Sequence, residues 1–207
     1  LSVPKDEPKQ FAVLQMRPLV ISSELENLDL SGYNLSQLIC HSGSALGNGL
    51  YSDIYDIVFV DKENFDRSKS REAAAEIADF NRKLSETGRK YLLIGVGRWG
   101  SMDPWLGIPV TWDQISGARA IVEANFKDFN VTPSQGTHFF QNLTSFKVGY
   151  FTVDYGNSDN FIDWQWLYNL KPAERKKYTV HVRLKQPVSV KVNGKNNAGI
   201  ITKPDDI

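Results

Sequence analysis

The run from Tyr51 to Ile94 constrains the fold more than any other stretch. It holds an apolar strand, Tyr51 to Val60 (YSDIYDIVFV), and a buried strand, Tyr91 to Ile94 (YLLI). Between them lies the clearest helix of the chain, Ser70 to Thr87. Ala73, Ile77, Phe80 and Leu84 recur there at helical spacing and form one apolar stripe. Ser70 is placed to cap it, Glu72 suits its first turn and Gly88 its stop. Ala120 to Val122 and Val148 to Val153 read as further strands, and Thr111-x-x-Gln114 as a capping box opening a short helix. Tyr178 to Leu184 and Val188 to Val192 alternate as strands, with a tight turn expected at Asn193-Gly194. Strands and helices alternate in the middle and strands dominate the end, so the fold class expected is α/β or α+β. Ser42 to Gly49 reads as a turn-rich loop with His41 beside it, and Gly156 to Arg175 as aromatic and irregular.

Charge and cysteine content narrow the function classes. Lys plus Arg number 24 and Asp plus Glu 24, a balance that argues against a general nucleic-acid binder. The single cysteine, Cys40, excludes an internal disulfide and reads as a small buried side chain in a reducing, cytoplasmic setting. Three scattered histidines give no metal-ligand spacing, and no apolar run reaches the ~18 residues of a membrane helix. The opening residues LSVPKDEPKQ are polar and carry proline, as at a boundary between domains.

Two segments offer chemistry. Gly95-Val-Gly97-Arg-Trp-Gly100 matches G-x-G-x-x-G after a buried strand, and Glu123 follows the next strand, as a ribose contact would. A dinucleotide site therefore stands as one reading, although Pro104 and Pro109 interrupt the helix it needs. A packing loop is the second reading, and a loop that turns the fixed donors of Arg98 toward a phosphate is the third. The other segment is Pro133-Ser-Gln-Gly-Thr-His138. A histidine opening a helix sits among free N–H groups at the positive end of the helix dipole, which stabilises a phosphoryl group on its ring. Neutral imidazole is a competent nucleophile near neutrality. The plainer reading is a half-buried histidine satisfied by Thr137 or a neighbouring carboxylate. His181, in an alternating strand, reads as facing solvent or a sheet neighbour.

Phe11 to Pro18 (FAVLQMRP) resembles the closing strand of the ATP-grasp domain of the phosphoenolpyruvate synthase and pyruvate phosphate dikinase family. The order that follows resembles the swivelling β/β/α phosphohistidine domain of those enzymes: Ala45 to Gly49, Tyr91 to Pro104, Ala118 to Val122, then Gly136-Thr-His138. Tyr91 to Val153 resembles the C-terminal part of such proteins from Bacteroides-like bacteria. The resemblance implies an α/β chain with the end of an ATP-grasp domain and linker over 1–40, a phosphohistidine-like domain over 41–155 and a β-rich extension over 156–207. It implies that Gln15 and Arg17 face nucleotide phosphates, that His138 carries a phosphoryl group, that Thr137 supports it and that Arg98 clamps it. ATP and magnesium would bind the full-length parent and not this fragment, which would be inactive alone. The partner would be the parent's ATP-grasp domain and the acceptor a small molecule such as pyruvate. Nucleic acid, membrane and metal are not expected. A non-catalytic domain that packs on the ATP-grasp domain is the alternative function.

Overall fold

The computed structural model describes residues 32–103, 105–125, 146–154, 156–158 and 160–204. The strands are β1 (Leu38–Ser42), β2 (Ser44–Leu46), β3 (Gly49–Val60), β4 (Tyr91–Val96), β5 (Arg98–Trp99), β6 (Gly107–Ile108), β7 (Ala118–Ala124), β8 (Gly149–Val153), β9 (Phe161–Ile162), β10 (Pro172–Arg175), β11 (Thr179–Asn193) and β12 (Ala198–Thr202). The helices are α1 (Ser70–Glu86) and α2 (Trp164–Asn169). The chain is α/β, built on one large mixed sheet whose order is β2-β8-β7-β4-β3-β11-β12-β1-β9, with β10 on β11.

β3, β4, β7 and β8 run parallel side by side, with Ile57 opposite Leu92, Ile94 opposite Val122 and Val122 opposite Phe151. Strand alternation then separates two cores. Val58, Leu93, Ile121 and Tyr150 face α1, where Ile77, Phe80 and Leu84 meet them. Burial of each such side chain contributes about 1.5–3 kcal/mol. Ile57, Phe59, Leu92, Ile94, Val122 and Phe151 face the other way, onto Val180, Val182 and Ile201. β1 and β2 are one run bent at Gly43. β1 pairs with β12 while β2 pairs with β8, so the sheet curls until its flanks meet. Ser42 Oγ donates to the Thr152 carbonyl at 2.5 Å across that join. Phe151 of β8 lies so close over Gly199 of β12 that a Cβ there would collide with its ring.

α1 has the expected stripe and a different start. Lys69 is the residue before the helix and makes no side-chain cap, and Ser70 is its first turn rather than its cap. The capping falls one turn earlier, where the Asp66 carboxylate accepts from the Ser68 N–H and opens a short 3-10 turn. At the other end Gly88 takes φ +67°, its N–H donates to Ser85 and that of Arg89 to Leu84, which is a Schellman stop. Thr111 and Gln114 do form a capping box, on a 3-10 turn.

Three sequence expectations are corrected. Ser42 to Gly49 contains β2, and His41 lies within β1, not in a loop. Gly156 to Arg175 contains β9, α2 and β10, with the Asp163 carboxylate accepting from Trp166 N–H to cap α2. The two C-terminal strands are one, β11, whose pairing with β3 shifts between Arg183 and Val188. β11 and β12 lie between β3 and β1, so elements from both sides of residue 155 share one sheet. No described helix is long and apolar enough to cross a membrane.

Candidate functional site

The carboxyl ends of parallel strands are where α/β sheets place ligands. Here the ends of β4 and β7 bring together the glycine-rich loop, Glu123 and Asn125. Gly95 ends in close contact: a Cβ on it would fall inside the indole of Trp99. That indole folds back over the sheet and its Nε1–H donates to the Val122 carbonyl at 3.0 Å. Gly97 and Gly100 take φ +67° and +73°, which lets the chain reverse twice within five residues. β5 then pairs in parallel with β6.

This geometry removes the condition for dinucleotide binding. No helix begins at Gly100; the described chain continues through turns, β6 and a 3-10 turn. The N–H groups of Gly97, Arg98 and Gly100 are also spent, on the carbonyls of Ala124, Leu106 and Ile108 at 2.9 Å each. Little of this loop's backbone is left to cradle a pyrophosphate. Packing of Trp99 explains Gly95, and the Arg98 charge is felt by Glu123 across the end of the sheet. Gly95→Ala is expected to lower the unfolding free energy by about 1–3 kcal/mol, as overpacking does, and to red-shift tryptophan emission as Trp99 is pushed out. Wild-type emission together with wild-type stability would show that the indole has room there.

Beside Arg98 lies a buried acid. Glu123 is 1% exposed, and its Oε2 accepts from the Tyr150 hydroxyl. Oε1 has no hydrogen-bond partner among the described residues. Burial raises the Glu123 carboxyl from 4.5 to about 7, opposed by the Tyr150 hydrogen bond and the Arg98 charge. Burial, then the Glu123 charge, pushes the Tyr150 phenol up, so it remains a donor. Asn125 Nδ2 donates to Asp154 Oδ1 at 2.8 Å, tying the end of β7 to the end of β8. Glu123 is thus held within the sheet and is not presented to a ribose.

Arg98 is the one residue of the expected phosphoryl site that lies among the described residues. Thr137 and His138, and Gln15 and Arg17, lie outside them. The chain that carries Thr137 and His138 leaves β7 at Asn125, next to Ala124, whose carbonyl accepts the Gly97 N–H. His181 is turned into the structure: its Nε2 is 2.7 Å from Asp56 Oδ1 and its ring tilts against Phe80 at 5.6 Å. Cys40 is fully buried, and burial pushes its thiol far above the ordinary range, so it is no nucleophile. Among the described residues no group of three or more His, Cys, Asp or Glu could hold a metal ion.

Sequence reasoning missed a second concave region, at the carboxyl end of β3. Asp61 there gathers Tyr168 and Arg175 from elements more than a hundred residues away. The legible signal was the Trp164-x-x-x-Tyr168 spacing, which puts both rings on one side of a helix. The chain matches no protein-family model, no curated protein and no solved structure.

Proposed function

We propose that this chain is the phosphoryl-carrying part of a larger ATP-dependent phosphotransferase of the phosphoenolpyruvate synthase type, with a swivelling β/β/α domain at its centre. One observation carries the reading. The Arg98 loop and the point where the chain departs toward His138 are joined by a backbone hydrogen bond at the carboxyl end of the parallel strands. In this reading a His138 ring nitrogen bonds to phosphorus as the bond from phosphorus to the nucleotide oxygen breaks. The nucleotide leaves with that electron pair, and magnesium in the parent neutralises its charge. Arg98 clamps the phosphoryl oxygens in its planar fork, and Thr137 supports the imidazole. Gln15 and Arg17 serve the nucleotide phosphates on the parent's ATP-grasp domain, and a small acceptor such as pyruvate takes the group onward.

The test is phosphohistidine formation on the full-length parent with magnesium and ATP labelled in its β or γ phosphate. Acid-labile, base-stable label is expected, absent in His138→Ala and reduced about 100-fold in Arg98→Met, the scale on which loss of one charge-stabilising donor acts. Label retained in His138→Ala overturns the assignment. A second reading, a domain without chemistry that packs on the ATP-grasp domain, draws on Met102 and Trp105, which are 84% and 60% exposed at the same end. It requires that no label form, or that any label on the parent lie outside this chain.

A further inference from the structure

β11 is the longest described strand, and one of its edges is open in the middle. β3 follows the other edge along its length. On this edge β10 pairs with β11 as far as Val182 and β12 pairs with it from Ser189 onward. Arg183 to Val188 therefore has no strand beside it among the described residues. Prolines explain the gap: β10 begins at Pro172 and Pro204 follows β12, and neither has an N–H with which to extend its ladder. A groove of about 280 Å³ lies at this gap. Its floor is apolar, with Leu184 and Pro204 buried and Leu170 half-buried against the core. It is smaller than the ~300–1,000 Å³ of cofactor and small-molecule sites, and it suits a single large side chain.

The rim selects the occupant. Lys171, Arg183 and Lys185 stand exposed around that floor, and no described acid lines the groove. Cations near them in sequence are spent on carboxylates: Arg175 on Asp61, Lys176 on Asp79 and Lys203 on Asp163. The three on the rim have no such partner among the described residues. In a chain whose charges balance overall they form a local excess that attracts an anion. The same cations and prolines disfavour a second copy of this chain, since two such edges would set like charges opposite one another. We propose that the groove docks an extended acidic segment of a partner protein. One apolar side chain of that segment sits on Leu170 and Leu184, and its flanking carboxylates meet Lys171, Arg183 and Lys185. The segment lies along the open edge of β11, the way an extended peptide adds to a sheet.

The test is fluorescence anisotropy of a labelled peptide, Glu-Glu-Leu-Glu-Glu, titrated with the full chain in low salt. Saturable binding is expected, weakening as salt is raised because exposed charges are screened. Replacing the peptide's leucine by alanine should weaken binding about fivefold or more, the scale of lost apolar burial. Arg183→Gln with Lys185→Gln should weaken it about tenfold, the scale of two exposed ion pairs, and leave the melting temperature unchanged. Arg71→Gln with Lys147→Gln removes two exposed cations elsewhere and should leave binding as it is. No saturable binding in low salt overturns the proposal. Equal losses in the two double variants also overturn it, since attraction would then be by overall charge alone. Binding that appears only after Asp205→Asn and Asp206→Asn overturns it too, because the chain's own acids beside Pro204 would then be the occupant. None of these outcomes bears on His138 labelling.

Discussion

Arg89→Met lowers the unfolding free energy by about 3–5 kcal/mol, the cost of leaving a buried carboxylate without its cation. Asp56 sits on β3 beneath the end of α1 and is 1% exposed. Arg89 reaches it straight out of the Schellman stop of α1, with Nε 2.8 Å from Oδ2 and Nη2 2.5 Å from Oδ1. His181 approaches Oδ1 from β11 at 2.7 Å. The Arg89 side chain is 24% exposed, so water screens the pair only partly. A domain of ordinary stability has about 5–15 kcal/mol in total, so the variant loses a large share of it. Urea denaturation followed by circular dichroism measures the loss. Adding Asp56→Asn to Arg89→Met should recover part of it, because the amide no longer demands a cation. A single variant within about 1 kcal/mol of wild type would mean that His181 alone satisfies Asp56. The cluster also explains why His181 is not a candidate nucleophile: its ring is spent joining β11 to β3.

What the sequence made legible follows from range. α1 was readable because Ala73, Ile77, Phe80 and Leu84 report one face through local spacing, and all four are buried. β4, β7 and β8 were readable as unbroken apolar runs, the mark of strands covered on both faces. β1 and β2 were not, because Ser42, Gly43 and Ser44 look like a turn. Ser42 is buried there because its hydroxyl finds the Thr152 carbonyl, 110 positions away, and no local pattern encodes that partner. β11 looked like two strands because Lys185-Gln186-Pro187 interrupts the alternation. The structure absorbs that stretch as an irregularity, the place a sheet admits proline. α2 is six residues long, too short for periodicity to distinguish. The glycine-rich loop shows how a motif misleads. Gly95 is required by an indole four residues on, and the same glycine spacing would be required by a pyrophosphate. Only the fate of the N–H groups separates the two.

Glu123→Gln is expected to abolish a fall in stability that the wild-type chain shows between about pH 5 and pH 7. The folded carboxyl titrates at about 7 and its ordinary value is 4.5, so between those values the folded state binds more proton than the unfolded. Stability from this group is fully present below about pH 4.5, declines as pH rises and is flat above about 7, a loss on the order of 3 kcal/mol. Carboxylates held below their usual range act in the opposite sense and at lower pH. Asp79, lowered by hydrogen bonds from Lys176 and Lys83, stabilises above its unfolded value and ceases to as pH falls. The histidines also titrate in this range but contribute alike to both proteins, so the difference between wild type and Glu123→Gln at pH 5.5 and pH 8 isolates Glu123. The change in stability from pH 5.5 to pH 8 should be more unfavourable in wild type than in the glutamine variant, while equal changes in the two would mean that water reaches the carboxyl. The same titration bears on the site. Arg98 is the cation that steadies the ionised form of Glu123, so each proton gained by Glu123 leaves more of the Arg98 field for a phosphoryl oxygen. Under the proposed phosphoryl role, labelling at His138 should then fall as pH rises past 7 in wild type and lose that dependence in Glu123→Gln.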